Sequence, residues 1–494
     1  MSNRLFAVLL LLLLMAMAAG GASAAGSPKY TVHYAVQFQP EAGSAAVDIS
    51  TQPGTGRLIA MDLNMPAAIY SGAAGDGTLV RTADRILWTP PRTGGHLRYR
   101  VLIDQRRPNR EFDSRITPDF VITRGDHLFP PAKIRATKGS GSTAILHFDL
   151  PKGWDDVETP FSKVSGGDFA VTNAERKFDR PIGWIAAGKL VSARETIAGM
   201  RVTVTAPKGE PARQVETLAI LRDALPEVQG AFGDLPSKLL IVRGGDPMWR
   251  GGLSAPASLW LHADRPLLSQ NGTSPILHEL THVISDIRGG PDDDWIAEGL
   301  AEYYSLEIGR RAKLISEERF AKAIRLAGKS GAKVNRLRGA ESTTDRTRKA
   351  VALFAALDTE LRANGSSIDA LSVLLMRHET TSLEQVRGDA RKLPGRASTV
   401  LAAGEEDRRE PGVGRKHAGV LASHKDARAR PTHARRRRFP LLAAALNECR
   451  PDSSILVNSA RDSRSWLWSL WPWATAEPLS LAGSRRAPCP WSPH

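Results

Sequence analysis

Between residue 30 and about residue 191, apolar and polar positions exchange in short runs at 30–38, 97–103, 119–122 and 144–150, broken by glycine, proline and aspartate. Such partial alternation marks half-buried strands, and it predicts a β-rich domain over residues 26–195. From Met200 the pattern changes. Val202-Thr203-Val204 and 239–242 read as strands on either side of an apolar-periodic segment, 214–232, that reads as a helix. Residues 273–307 carry two helical segments joined by Arg288-Gly289-Gly290-Pro291, which should stop the first, while Asp292-Asp293-Asp294 should cap the second. The acidic triplet is read as a cap rather than a ligand set. Further on, Val351, Phe354, Leu357 and Leu361 share one face of a helix that Asn364-Gly365 ends. Ser382 with Gln385 forms a capping box for one more, and Pro394 stops it. Beyond it no period of 2 or 3.6 holds, and no internal repeat occurs anywhere. The expected fold class is α+β: a β-rich N-terminal domain (26–195), a lobe made of a small sheet and mostly helices (196–394), and an unstructured tail (395–494).

The two ends alter this picture. Arg4 precedes an apolar run from Leu5 to Ala19, followed by Ala22-Ser23-Ala24-Ala25. That is a signal peptide over residues 1–25 with an Ala-x-Ala cleavage site, so the protein is expected to be exported, periplasmic or secreted. The run is shorter than the roughly 20 apolar residues a spanning helix needs, and no transmembrane segment is expected after cleavage. The only cysteines, Cys449 and Cys489, stand near the end, so the main body folds without disulfides. Formal net charge is +15, yet residues 400–494 alone hold 16 Lys and Arg against 9 Asp and Glu. Basicity concentrated in the segment with least organisation is poor ground for a nucleic-acid partner, and none is expected. The tail also holds a basic run at 435–438 and five of the chain's eleven tryptophans, between Trp466 and Trp491. A basic arm with aromatic anchors is one reading; an unstructured extension, or sequence read out of frame, fits better. Asn271-Gly272-Thr273 matches a glycosylation sequon, which has meaning only in a eukaryote.

The candidate chemistry lies at His278-Glu279-Leu280-Thr281-His282, a His-Glu-x-x-His motif in a helical segment that begins after Pro275. Residues four apart share a helix face, so His278 and His282 can bind one metal ion with nitrogens at about 2.0–2.1 Å. Glu279 is then free to act as general base. Fifteen residues separate His282 from Glu298 in the next helical segment, enough to finish one helix, turn, and bring a second antiparallel one alongside. Glu298 would complete a His₂Glu zinc site with a fourth position open. Glu302, one turn further, is placed to take the other ring proton of a ligating histidine and so fix its tautomer. Trp295 and Tyr304 are read as core packing.

With Trp295-x-x-Glu298-Gly299-x-Ala301-Glu302-Tyr303-Tyr304 following the first motif, the chain resembles the gluzincin metallopeptidases, most of all the glycyl aminopeptidase family. The resemblance covers roughly residues 30–392. It implies a thermolysin-like catalytic domain, one Zn²⁺ per chain, and a peptide or protein substrate lying along the glycine-rich strand at Gly251, Gly252 and Leu253. Two departures stand out. Where family members tend to carry Glu-His after Gly-Gly-Leu, this chain has Ser254-Ala255, which touches recognition of a free amino terminus. Relatives also place an oxyanion-stabilising tyrosine before the long helix, where this chain reads Arg346-Thr347-Arg348-Lys349, and no tyrosine follows Tyr304. His378 is a weak substitute donor. The expected function is zinc-dependent, aminopeptidase-like hydrolysis of peptide bonds by a metal-activated water with Glu279 as base. The alternative is a catalytically silent module of the same fold that binds peptides or a partner.

Overall fold

The computed structural model describes residues 29–172, 178–211, 213–393 and 395–406. The expected signal peptide, Pro394, and the arginine run, cysteines and tryptophans beyond residue 406 lie outside the described residues. No helix among those described is long and apolar enough to cross a membrane.

The architecture is α+β, with a β-rich N-terminal region followed by a small sheet and a mostly helical lobe. The first region is built on Lys29–Gln39, which pairs antiparallel with Ser44–Pro53 and parallel with Gly141–Asp149 inside a seven-stranded sheet. Its alternate residues Tyr30, Val32, Tyr34, Val36 and Phe38 are all buried, as the period of two requires. A five-stranded sheet then forms the wall between the two regions. Within its strands Phe120–Arg124 and Trp184–Gly188, Val121, Ile185 and Ala187 join the N-terminal core. Their neighbours Ile122, Trp184 and Ala186 pack instead with Leu240, Val242, Leu253 and Trp260 of the lobe. Both faces of this sheet are covered, so the regions share one wall.

The lobe opens with β1 (Leu190–Ile197), β2 (Met200–Pro207), α1 (Gln214–Phe232), β3 (Lys238–Gly244), β4 (Gly252–Ala255) and β5 (Ser258–His262), in spatial order β1-β2-β3-β5-β4. β1 and β2 pair along their whole length, so the lobe begins at Leu190 and a boundary after residue 195 would cut a hairpin. β4 is an edge strand whose one strand partner is β5. The helices follow: α2 (Pro275–Ser285), α3 (Asp294–Arg311), α4 (Glu317–Gly331), α5 (Thr344–Arg362), α6 (Ile368–Leu375), α7 (Leu383–Lys392) and α8 (Thr399–Glu406).

Three local expectations are corrected. α2 stops before the Gly-Gly-Pro turn, because Asp286 adopts the left-handed conformation at φ 47° and its amide bonds back to His282 O. The acidic triplet does not cap α3 through Asp293, whose carboxylate instead accepts Trp295 Nε1 and the Leu383 amide. Asp294 accepts the Ser342 amide, so the triplet ties loops together around the helix start. Finally, order extends past residue 394. Glu360 on α5 accepts hydrogen bonds from the Thr399 amide and hydroxyl at the start of α8, and Leu401 is buried in the lobe's core. The cap lies 39 residues from the helix it serves, and eight residues carry too little periodicity to betray it.

α3 is held along its length. Trp295 stacks on Phe354, Tyr303 donates to Asp358, Tyr304 donates to Asp369, and buried Glu307 pairs with Arg310 and Arg311. At Gly299 the contact with α5 is tight: a Cβ there would stand 2.4 Å from the Ala350 methyl and 3.0 Å from the Phe354 ring. Overpacking of this kind costs about 1–3 kcal/mol. Gly299→Ala is therefore expected to lower unfolding stability by that amount in denaturant titration, with no change in m-value.

Candidate metal centre

α2 begins at Ser274, whose hydroxyl accepts the Leu277 amide, with Pro275 at the first helical position. Ile276, Leu277 and Leu280 bury one face in the lobe's core. The opposite face, carrying His278, Glu279 and His282, is closed by α3 and β4, so these polar side chains are also largely buried. A helix buried all round cannot shift its register, and the spacing of four residues becomes a fixed geometry.

His278 Nε2 and His282 Nε2 face each other at 3.2 Å. Across the turn, Glu298 puts its carboxylate 3.6 Å from His278 Nε2 and 3.5 Å from His282 Nε2. Two donors bound at about 2.0–2.1 Å to a tetrahedral ion lie about 3.3–3.4 Å apart, close to the separation of the two imidazole nitrogens and to that of each imidazole from one oxygen of the Glu298 carboxylate. Among the described residues this is the one group of three or more His, Cys, Asp or Glu drawn together closely enough to hold a metal ion. His278 Nδ1 lies 3.0 Å from Glu302 Oε2, which leaves Nε2 as the nitrogen turned to the trio. The sequence-derived residues Glu279, His278, His282, Glu298 and Glu302 thus meet at one place.

The electrostatics fit a cation. Burial works against a charged His278, but the carboxylates of Glu298 and Glu302 override it and push the imidazole up to about 10. His282 goes down to about 4, because burial outweighs the attraction of Glu298 and His278 opposes a second charge. Glu279 rises to about 7 through burial, with Glu298 adding repulsion, while His278 and the backbone amide of Ser254 oppose the rise. Its Oε2 is buried without a hydrogen-bond partner. Three buried carboxylates around two imidazoles are an arrangement that a divalent ion neutralises. Replacing Glu302 by Gln keeps the shape and removes the charge behind His278. Zinc affinity of Glu302→Gln, read by competition with a chromophoric chelator, is expected to fall about 10–100-fold.

β4 lies directly under Glu279. A Cβ on Gly252 would stand 2.6 Å from Glu279 Oε1 and 2.9 Å from its Cγ, so only glycine lets the carboxylate and the edge strand approach this closely. Gly252→Ala is expected to displace Glu279 and lower turnover at least about 10-fold, while zinc content stays at the wild-type level. Gly251 precedes the strand; its carbonyl accepts the His262 amide and its α-carbon abuts the Trp249 ring. Leu253 is buried in the cluster shared with the N-terminal wall, and its carbonyl accepts Trp184 Nε1. His378 is not brought to the centre: it is held by Asp389 at 2.7 Å and by Gln385 in the turn before α7. None of the chain's six tyrosines is free for an oxyanion. Tyr30, Tyr34, Tyr70 and Tyr99 belong to the N-terminal core, and Tyr303 and Tyr304 are engaged by Asp358 and Asp369. Two further groups that no motif announces are the Ser254 amide and Arg265, which lies within electrostatic reach of Glu279; both act from backbone and loop positions.

No family model matches the sequence, and no curated protein does. Among solved structures the fold is similar to the crystal structure of an aminopeptidase N family protein from Idiomarina loihiensis, with a TM-score of 0.53 and 13% identity. The match spans 78% of this chain and 74% of that one, so the likeness takes in the β-rich region and the helical lobe together.

Proposed function

We propose that this chain is a zinc-dependent peptidase whose metal is held by His278, His282 and Glu298. The observation that carries this reading is a buried cluster in which the imidazole nitrogens of His278 and His282 stand 3.2 Å apart and each lies 3.5 to 3.6 Å from an oxygen of the Glu298 carboxylate, with an unpartnered carboxylate oxygen on Glu279 beside them. Zinc, when bound there, supplies Lewis acidity to water and to the scissile carbonyl. Everything else falls to the protein. β4 is an edge strand beside which an extended peptide can add as a further strand, and Gly252 brings it under the base. Glu279 takes a proton from the attacking water at its free oxygen and returns it to the leaving nitrogen. Glu302 keeps the His278 ring in the ligating tautomer. The aminopeptidase-like fold supports an activity on peptides, and the leader expected at residues 1–25 would place it outside the cytoplasm.

A silent binding module is the second reading, favoured by the absence of a tyrosine hydroxyl at the site among the described residues. One experiment separates the two: metal analysis of the purified full-length chain together with hydrolysis of a broad peptide library. One zinc per chain with cleavage is the expected result. One zinc without cleavage of any peptide would leave the binding module, and a folded protein that takes up no zinc would end the site assignment.

A further inference from the structure

Two arginines stand where β4 begins, and they are treated differently. Arg250, just before the strand, is matched by two carboxylates, Asp246 and Asp264, the second at 3.7 Å. Arg265 has no carboxylate within ion-pair distance among the described residues; the one hydrogen bond of its guanidinium among them runs from Nε to the Arg250 carbonyl at 2.6 Å. It is only partly exposed, and burial lowers its pKa, with Glu279 and Glu111 acting more distantly in the other direction. A guanidinium that gives up hydration without gaining an anion costs stability. The remaining N–H groups of its fork are the planar donors that recognise a carboxylate in bidentate fashion.

Nor is its position accidental to a loose loop. Arg243, wholly buried under the turn, donates to the carbonyls of His262 and Ala263, and the Arg265 amide donates to the same His262 carbonyl at 3.0 Å. His262 Nδ1 accepts the Asp264 amide. The turn is pinned from below and within. Its guanidinium is fastened to the residue that precedes Gly251, at the upstream end of the edge strand and within electrostatic range of Glu279.

We infer that Arg265 is a specificity residue that binds a carboxylate of the peptide lying along β4, so that the site selects acidic peptides. The inference rests on the peptidase reading for the identity of the ligand, and its test is separable from that reading. The probes are alanine pentapeptides carrying one glutamate at each successive position, with glutamine twins. Binding is measured by calorimetry on the full-length Glu279→Gln protein, and kcat and KM on the wild type. At one position the glutamate peptide should bind about 10–100-fold more tightly than its twin, the strength of a charge-assisted hydrogen bond. Adding Arg265→Gln should bring that ratio to about one, and Arg265→Lys should keep part of it. Equal or absent binding of both twins by the Arg265-containing protein overturns the inference. So does a preference that survives Arg265→Gln, or a loss in that variant confined to kcat and equal for both twins, which would assign Arg265 to charge developing in the reaction. Cleavage of the glutamine twins reports the peptidase reading by itself: no turnover with an intact binding preference would sink that reading and leave Arg265 in place.

Discussion

Glu279→Gln is expected to keep one zinc per chain and to lose about 10²–10⁴-fold in turnover. The substitution removes the proton acceptor but preserves the volume, which matters because the side chain is wedged between α2 and Gly252. None of the three residues proposed to hold the metal is Glu279, so zinc content should not change. The loss should fall on kcat, since peptide pairing along β4 depends on backbone groups that the variant retains. Zinc analysis and steady-state kinetics on the same preparation check both halves. A variant that retains wild-type turnover would remove Glu279 from the chemistry.

His282→Ala is expected to lose the zinc and, with it, all measurable hydrolysis. The proposed site draws on two imidazoles 3.2 Å apart and the Glu298 carboxylate beside them, and removing one imidazole leaves two protein ligands where a zinc site needs at least three. A further readout comes from stability. Ligands that bind only the folded state raise its melting temperature by mass action, so a chelator should lower the Tm of the wild type and leave that of His282→Ala unmoved. Equal chelator sensitivity in both proteins would show that the stabilising metal sits elsewhere.

Much of this centre is legible in the order of residues. The spacing within His278-Glu279-Leu280-Thr281-His282 forces two imidazoles onto one face as soon as a helix forms, and the fifteen-residue gap to Glu298 permits little besides a turn and a returning helix. The β-rich region is equally open to reading, because the alternation along 30–38 survives as the burial of every second residue. Helix stops and caps are less so. A left-handed Asp286 and the cross-chain ties of Asp293 and Asp294 arise from loops that meet only after folding. The same holds for α8, whose cap Glu360 comes from a different helix.

What the linear order of residues determined by itself is the local chemistry: which side chains share a face, how far apart, and with what charge. Tertiary structure alone decided that Gly252 presses an edge strand against Glu279, that Trp184 from the N-terminal wall holds that strand by the Leu253 carbonyl, and that Arg265 stands unmatched beside it. These contacts join segments 15 to 69 residues apart. Periodicity records the environment of one segment at a time, whereas a site is formed by the relative placement of several, which only the closing of a common core can set.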